Sequence, residues 1–386
     1  MPTNGSFLKP RRKTRRLTVG NVAVGGGAPV SVQTMTKTET HNARATLRQI
    51  EEVAAVGCDI VRCAAPRSGD AEALREIVLH SPIPVVADIH YDYRLALTAL
   101  EAGVACLRLN PGNIGMPTSD NIEMPGDEKV RVVVHEAKSR GVPIRIGVNA
   151  GSLEPELLMK HGHPTPEAMV ESALHHIRIL EDLGFFDIKV SVKATDIART
   201  VAAYRLLADK VDYPFHLGIT EAGTLGTGSV KSAAGLGILL AEGLGDTIRV
   251  SLAGSPVDEV RVGQDILESL GLRNQRPNIV ACPTCGRLQV PDMIEMAQEI
   301  ERRVTHIKVP LNLAVMGCEV NGPGESKAAD LGISLGRDYG YLFKHGEKLR
   351  RVEADKVVEE FVREAEALAR EVEESRRDEK AAGGQK

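Results

Sequence analysis

Two cysteines separated by two residues, Cys282 and Cys285 in CPTCGR, have the spacing of half a metal site. Cys318, in MGCEVNGPGE, is the one cysteine that follows them. A four-coordinate centre needs one donor more, and His306, Glu319 and Glu325 lie in the same region. Glu319 adjoins Cys318 and would have to fold back. Glu325 lies beyond NGPG, a turn-forming sequence that can bring it round. Three thiolates and one oxygen can hold zinc or an iron–sulfur cluster. A structural zinc prefers a fourth Cys or His, whereas a weaker oxygen ligand suits a cluster that opens one iron to substrate. Cys58, Cys63 and Cys106 sit in or beside apolar runs and read as small buried side chains.

A second set of residues stands at the ends of short Val/Ile-rich runs. Arg62 and Cys63 end one run, Asp88 and His90 the next, then Arg108, Asn110 and Asn113, and then Arg145 and Asn149. Ser191 and Lys193, His216 and Glu221, and Arg249 and Ser251 end the last three. Five cations, Arg62, Arg108, Arg145, Lys193 and Arg249, would then converge on one rim. Like charges crowded into a concave mouth repel unless an anion neutralises them, and Arg presents a planar fork suited to phosphate oxygens. The implied ligand is a diphosphate. Asn110, Asn149, His216 and Ser251 fit as hydroxyl or phosphate partners, and Glu221 as an acid or base.

The elements that must position these residues are legible as a repeat. From about residue 30 to 270, eight apolar runs from VSVQTM to DTIRVSLAG alternate with stretches of helical periodicity, several of which end in Gly. Runs of this kind, mostly without alternation, suit parallel strands buried on both faces. Eight βα units predict an α/β fold, a (β/α)8 TIM barrel over residues 17–272 with its active site at the C-terminal ends of the strands. LTVGNVAVGGGAPV predicts a hairpin closing the bottom of the barrel. LRNQRPN reads as a linker. Residues 278–375 predict a small α+β domain with a C-terminal helix, and residues 376–386 a disordered tail.

The chain has 386 residues, a net charge of −4 and 3% aromatics with no Trp, which disfavours a nucleic-acid surface. The basic arm 1–16 contains KPRRKTRR and reads as solvated and disordered, so its removal should spare activity. No run spans a membrane and no secretory signal opens the chain, which points to the cytoplasm.

LRLNPGN, IRIGVNAGS, SVKATD, HLGITEAG, KSAAGLGILLAEGLGDTIRVSLAGSP, ACPTCGR and MGCEVNGPGE together resemble the bacterial 4-hydroxy-3-methylbut-2-enyl diphosphate synthase family. The resemblance covers all but the first 15 and about the last dozen residues. It implies a barrel followed by an iron–sulfur domain, with a [4Fe-4S] cluster on Cys282, Cys285, Cys318 and Glu325. It also implies a cyclic diphosphate substrate opened and dehydroxylated by two electrons, and reduced flavodoxin or ferredoxin as donor. The family forms a head-to-tail homodimer. Two other readings stand beside it. A pterin-binding TIM-barrel transferase shares the strand-end residues but has no need of the cysteines. A non-catalytic zinc or iron–sulfur module is the second.

Overall fold

The computed structural model describes residues 7–115, 125–274 and 276–383. The chain divides into two compact units, Met1–Arg273 and Asn274–Lys386.

The first unit opens with a hairpin, β1 (Leu17–Val19) and β2 (Val22–Val24), paired antiparallel. Its inward side packs Leu17, Val19 and Val24 on Ile60, Val86 and Cys106. Eight parallel strands follow: β3 (Ser31–Met35), β4 (Ile60–Ala64), β5 (Val85–Asp88) and β6 (Cys106–Arg108), then β7 (Ile144–Asn149), β8 (Ile188–Lys193), β9 (His216–Leu217) and β10 (Thr247–Ile248). Their order, β8-β7-β6-β5-β4-β3-β10-β9, is that of a TIM barrel. One parallel bridge, Val190 to Phe215, joins the two ends. The helices between them bury one stripe each. Ala43–Ala55, for instance, buries Ala43, Thr46, Ile50 and Val53, and the Asn42 side chain accepts from Ala45 N at its start. Gly103 and Gly141 leave their helices at φ 86° and 64°, a conformation that would strain other residues there.

The basic arm departs from expectation. Residues 1–6 lie outside the described residues, but Lys9 to Arg15 are pinned to the barrel. Backbone N–H groups of Lys9, Arg12 and Arg15 donate to Ala241, Gly243 and Asp212 carbonyls at 2.8, 2.9 and 2.9 Å. The Arg12 guanidinium donates to Val211 O and Tyr213 O at 2.5 and 2.6 Å and lies 4.0 Å over the Phe215 ring. Arg11 pairs with Asp246 at 2.9 Å and Arg15 with Asp212 at 2.8 Å. The reason is local. Strands β9 and β10 are two residues long, and the loops entering them leave carbonyls that the arm supplies with donors. A cationic run read as solvated is therefore a strap. Arg12→Ala should lower unfolding free energy by about 2 kcal/mol, read from the urea midpoint. Deleting residues 1–16 should lower the melting temperature as well, and an unchanged melting temperature would contradict the strap.

The second unit is a five-stranded mixed sheet of order β11-β12-β13-β14-β15. Its strands are β11 (Asn278–Ala281), β12 (Asn312–Met316), β13 (Leu331–Leu335), β14 (Tyr339–Lys344) and β15 (Glu347–Glu353). The first three are parallel and the last two antiparallel. Helices Met293–Val304 and Val357–Gly383 share an apolar core with the sheet through Ile300, Phe361 and Leu368. The last helix runs on to Gly383, so the tail expected to be disordered from 376 is helical to there. Its 3.6-residue pattern of Val357, Phe361, Ala365 and Leu368 starts a helix that the charged residues beyond simply continue. Strand β15, whose sequence EKLRRVE carries charges on a sheet edge, is an element the sequence pattern did not reveal.

Candidate active site

In β8 the residues Lys189, Ser191 and Lys193 alternate with Ile188, Val190 and Val192, and all six are buried. One face of the strand meets helices and the other fills the barrel. The same geometry on neighbouring strands brings Arg62, Arg108, Arg145, Asn149, Lys193, Arg249 and Ser251 around one cavity of about 140 Å³, with Asp88, His90 and Thr220. Seven of the residues singled out from the sequence as anion partners are thus in one place.

The cavity holds five cations and one carboxylate. Arg108 donates to Asp88 Oδ1 and His90 Nδ1, both at 3.2 Å, and to Gly147 O at 2.9 Å. Arg62 Nε lies 3.7 Å from Asp88 Oδ2. Arg145 donates to Ser191 Oγ at 2.6 Å, while its Nε and Nη2 are buried without a partner. Arg249 Nε is likewise buried and unpartnered. Two glycines make the room. A Cβ on Gly147 would meet Arg108 Nε at 2.6 Å, and one on Gly218 would meet Lys193 Nζ at 2.6 Å.

The electrostatics follow from that crowding. Burial opposes charge on Asp88, but Arg62, a His90 hydrogen bond and Arg108 overcome it and hold the carboxyl far below the usual range. Burial, then Arg145, Arg249, Arg62 and Arg108, push Lys193 well below an ordinary lysine. Burial and Arg108 bring Arg145 down to about 10. The shifts on Lys193 and Arg145 report buried cations crowded by like charge.

Three expected site residues stand apart from the cavity wall. The Asn110 side chain clamps Gly147, accepting from its N–H at 2.8 Å and donating to its carbonyl at 3.1 Å. It shapes the strand that Arg108 lies over. His216 is fully buried with both ring nitrogens unpartnered, its charged form disfavoured by burial and by Lys193. Glu221 follows the wall residue Thr220 and is exposed at φ 52°, an uncommon conformation for a residue with a side chain. Asp88 was visible as a strand-end residue, but its ion pairs were not. Lys189, fully buried with Nζ unpartnered, went unnoticed although the alternation in IKVSVK signals it.

The second unit positions the other set. Cys282 follows β11 and its N–H donates to Val315 O at 2.9 Å. Cys318 follows the neighbouring parallel strand β12. Glu325 stands in the first turn of the helix Gly322–Ala328. Cys318 is buried, Cys282 half-buried and Cys285 exposed. Backbone and side-chain hydrogen bonds from Arg287 lower the Cys285 thiol, and the N–H groups of Asn321 and Val320 lower Cys318. Arg287 feels all three thiols, and nothing in the C-x2-C spacing had pointed to it. Among the described residues, no three His, Cys, Asp or Glu side chains gather tightly enough for a single metal ion.

A TIM barrel with a cation-lined mouth, continued by a unit carrying three cysteines at the ends of adjacent strands, defines a two-unit α/β-barrel enzyme. Family models agree over both units: the GcpE TIM-barrel domain matches residues 14–264 and the GcpE protein C-terminal domain residues 278–367. The chain belongs to the GcpE family. A protein of Geobacter sulfurreducens named 4-hydroxy-3-methylbut-2-en-1-yl diphosphate synthase (flavodoxin) is 58% identical, over 93% of this chain and 98% of its own. A protein of the same name from Magnetococcus marinus is 53% identical over 95% and 96%. The Yersinia pestis dihydropteroate synthase structure superposes with a TM-score of 0.45 at 12% identity, covering 66% of this chain and 98% of that one, a likeness that decides nothing about function. A family that spans the cysteine-bearing unit as well as the barrel sets aside both the pterin-transferase reading and the non-catalytic module.

Proposed function

We propose that this enzyme opens 2-C-methyl-D-erythritol 2,4-cyclodiphosphate by two-electron reduction. The products are (E)-4-hydroxy-3-methylbut-2-enyl diphosphate and water, in the methylerythritol phosphate route to isoprenoids. The observation that carries the reading is the cavity of five cations facing one carboxylate. The names of the relatives supply the chemistry.

The barrel residues do the binding. Arg62, Arg108, Arg145, Lys193 and Arg249 hold the diphosphate, and they gain most when ring opening leaves a new anionic oxygen on it. Ser251 and Asn149 donate to phosphate or hydroxyl oxygens. Asn110 holds Gly147 in place for this, and His216, kept neutral beneath the cations, supports the same layer. Glu221 delivers the proton that lets the departing hydroxyl leave as water.

A [4Fe-4S] cluster fits the second donor set. Two of the three thiols have lowered pKa values, which favours the thiolates such clusters require, and Arg287 offsets their charge. Cys282, Cys285, Cys318 and Glu325 would hold it, and when bound it supplies electrons one at a time. Reduced flavodoxin is the donor that the relatives' names indicate, with ferredoxin as its counterpart elsewhere in the family. A head-to-tail homodimer completes the proposal. No described helix is long and apolar enough to cross a membrane.

The test is anaerobic purification, cluster reconstitution and assay with the cyclodiphosphate and a reduced flavodoxin. Formation of the allylic diphosphate supports the proposal, and a fully loaded enzyme inert toward this substrate overturns it. A pH dependence follows from Lys193. Its folded pKa is lowered, so the cationic form is lost as pH rises through that lowered value, and anion binding weakens. Pyrophosphate affinity should therefore fall with rising pH in the wild type, and Lys193→Arg should flatten the fall. Titration calorimetry of both proteins over the same pH series checks this, since pyrophosphate's own ionisation is common to both.

A further inference from the structure

The ladder between β10 and β3 has two rungs, Thr247 to Ser31 and Ile248 to Val32. Arg249 and Ser251, which reach the cavity, lie past its end. An ion pair between a buried carboxylate and a partly exposed lysine spans the gap. Glu259, on the helix Pro256–Ser269, accepts from Thr34 Oγ1 of β3 at 2.6 Å and from Leu252 N at 3.0 Å. Lys37, just past β3, lies 3.1 Å from Glu259 and donates to Leu252 O at 2.7 Å and to Gly254 O. Both backbone groups of Leu252 are thus held by this one pair. On its other side the same segment meets the Glu221 loop, with Ala222 N donating to Ser251 O at 3.3 Å and Ala253 N to Gly223 O at 2.9 Å. The carboxylate has a second effect: among the influences on Arg249, Glu259 is the chief one opposing the burial that disfavours its charge.

We propose that the Lys37–Glu259 ion pair is a positioning device for the reaction. It replaces the missing rungs between β3 and β10, and so sets Arg249 and Ser251 against the diphosphate. Neither residue lines the cavity, and both act through the backbone of residues 252–254. The inference rests on the anion-site reading above and adds to it two residues that no sequence motif singled out.

The experiment measures the inhibition constant of inorganic pyrophosphate against the cyclodiphosphate, in cluster-loaded enzyme. This constant reads only the folded, active fraction, so loss of stability alone does not move it. Lys37→Met and Glu259→Gln should each raise it about tenfold. Lys37→Arg, which keeps the charge and the donors, should return it to within about twofold of wild type. Lys37 is partly exposed, so its variants carry the test if Glu259→Gln fails to fold. An unchanged constant in Lys37→Met, with Arg145→Met raised as expected, overturns the positioning role alone. An unchanged constant in Arg145→Met overturns the anion site on which it rests.

Discussion

Cys318→Ser is expected to abolish the cluster and nearly all activity, while Cys106→Ser retains both. Cys106 is fully buried and Cys318 nearly so, and the two differ in what surrounds them. Cys106 sits among Leu17, Val19, Val24, Ile60 and Val86, and burial raises its pKa. It is a fully buried thiol with apolar neighbours and, among the described residues, no second cysteine beside it, unsuited to holding iron. Cys318 sits under a row of backbone N–H groups that lower its pKa, within reach of Arg287. A serine there offers a far poorer ligand and leaves Arg287 without one of its counter-charges. The measurement is iron and sulfide content with the visible spectrum after anaerobic reconstitution. About four of each per chain in the wild type and in Cys106→Ser, and a marked deficit in Cys318→Ser, is the expected pattern. Equal loss in both variants would mean that the wrong thiols were assigned. One zinc and no iron in the wild type would remove the cluster itself.

Arg145→Met is expected to weaken substrate and pyrophosphate binding about a hundredfold, near 3 kcal/mol, with the cluster spectrum unchanged. It should also leave the ligand-free protein no less stable. The second expectation is the more discriminating. In the free barrel Arg145 is a buried cation with two unpartnered nitrogens, beside Arg108, and its pKa is lowered because its charge is disfavoured there. Methionine keeps most of the volume and removes that charge, so packing changes little while the repulsion is relieved. An arginine kept for stability would behave in the opposite way on both counts. Melting temperature without ligand and calorimetry with pyrophosphate decide between them. Unimpaired affinity would take Arg145 out of the anion site.

The effects at the barrel mouth share one physical cause. The barrel mouth is assembled from charges that repel one another, and it is held in shape by neighbouring carboxylate, amide and ion-pair groups. Asp88 neutralises part of the charge on Arg62 and Arg108, Asn110 pins Gly147, and the Lys37–Glu259 pair pins Leu252. In the proposed function the anion completes the balance.

Much of this was legible in the residues alone. The eight βα units, the five strand-end cations and the three cysteines beyond the barrel follow from periodicity and residue type, because strand ends in a (β/α)8 barrel face one way. Covalent order also sufficed to keep Cys282 and Cys285 near one another. Other features depend on partners distant in the chain. KPRRKTRR has the composition of a solvated arm, and its role as a strap rests on carbonyls some two hundred residues away. The Leu252 clamp joins β3 to a helix that follows β10, and the proximity of Arg287 to Cys318 joins two strand ends. Composition and spacing describe what a residue can do. Which unpaired donor meets which unpaired acceptor is settled only when the chain closes on itself and every buried polar group must find its partner.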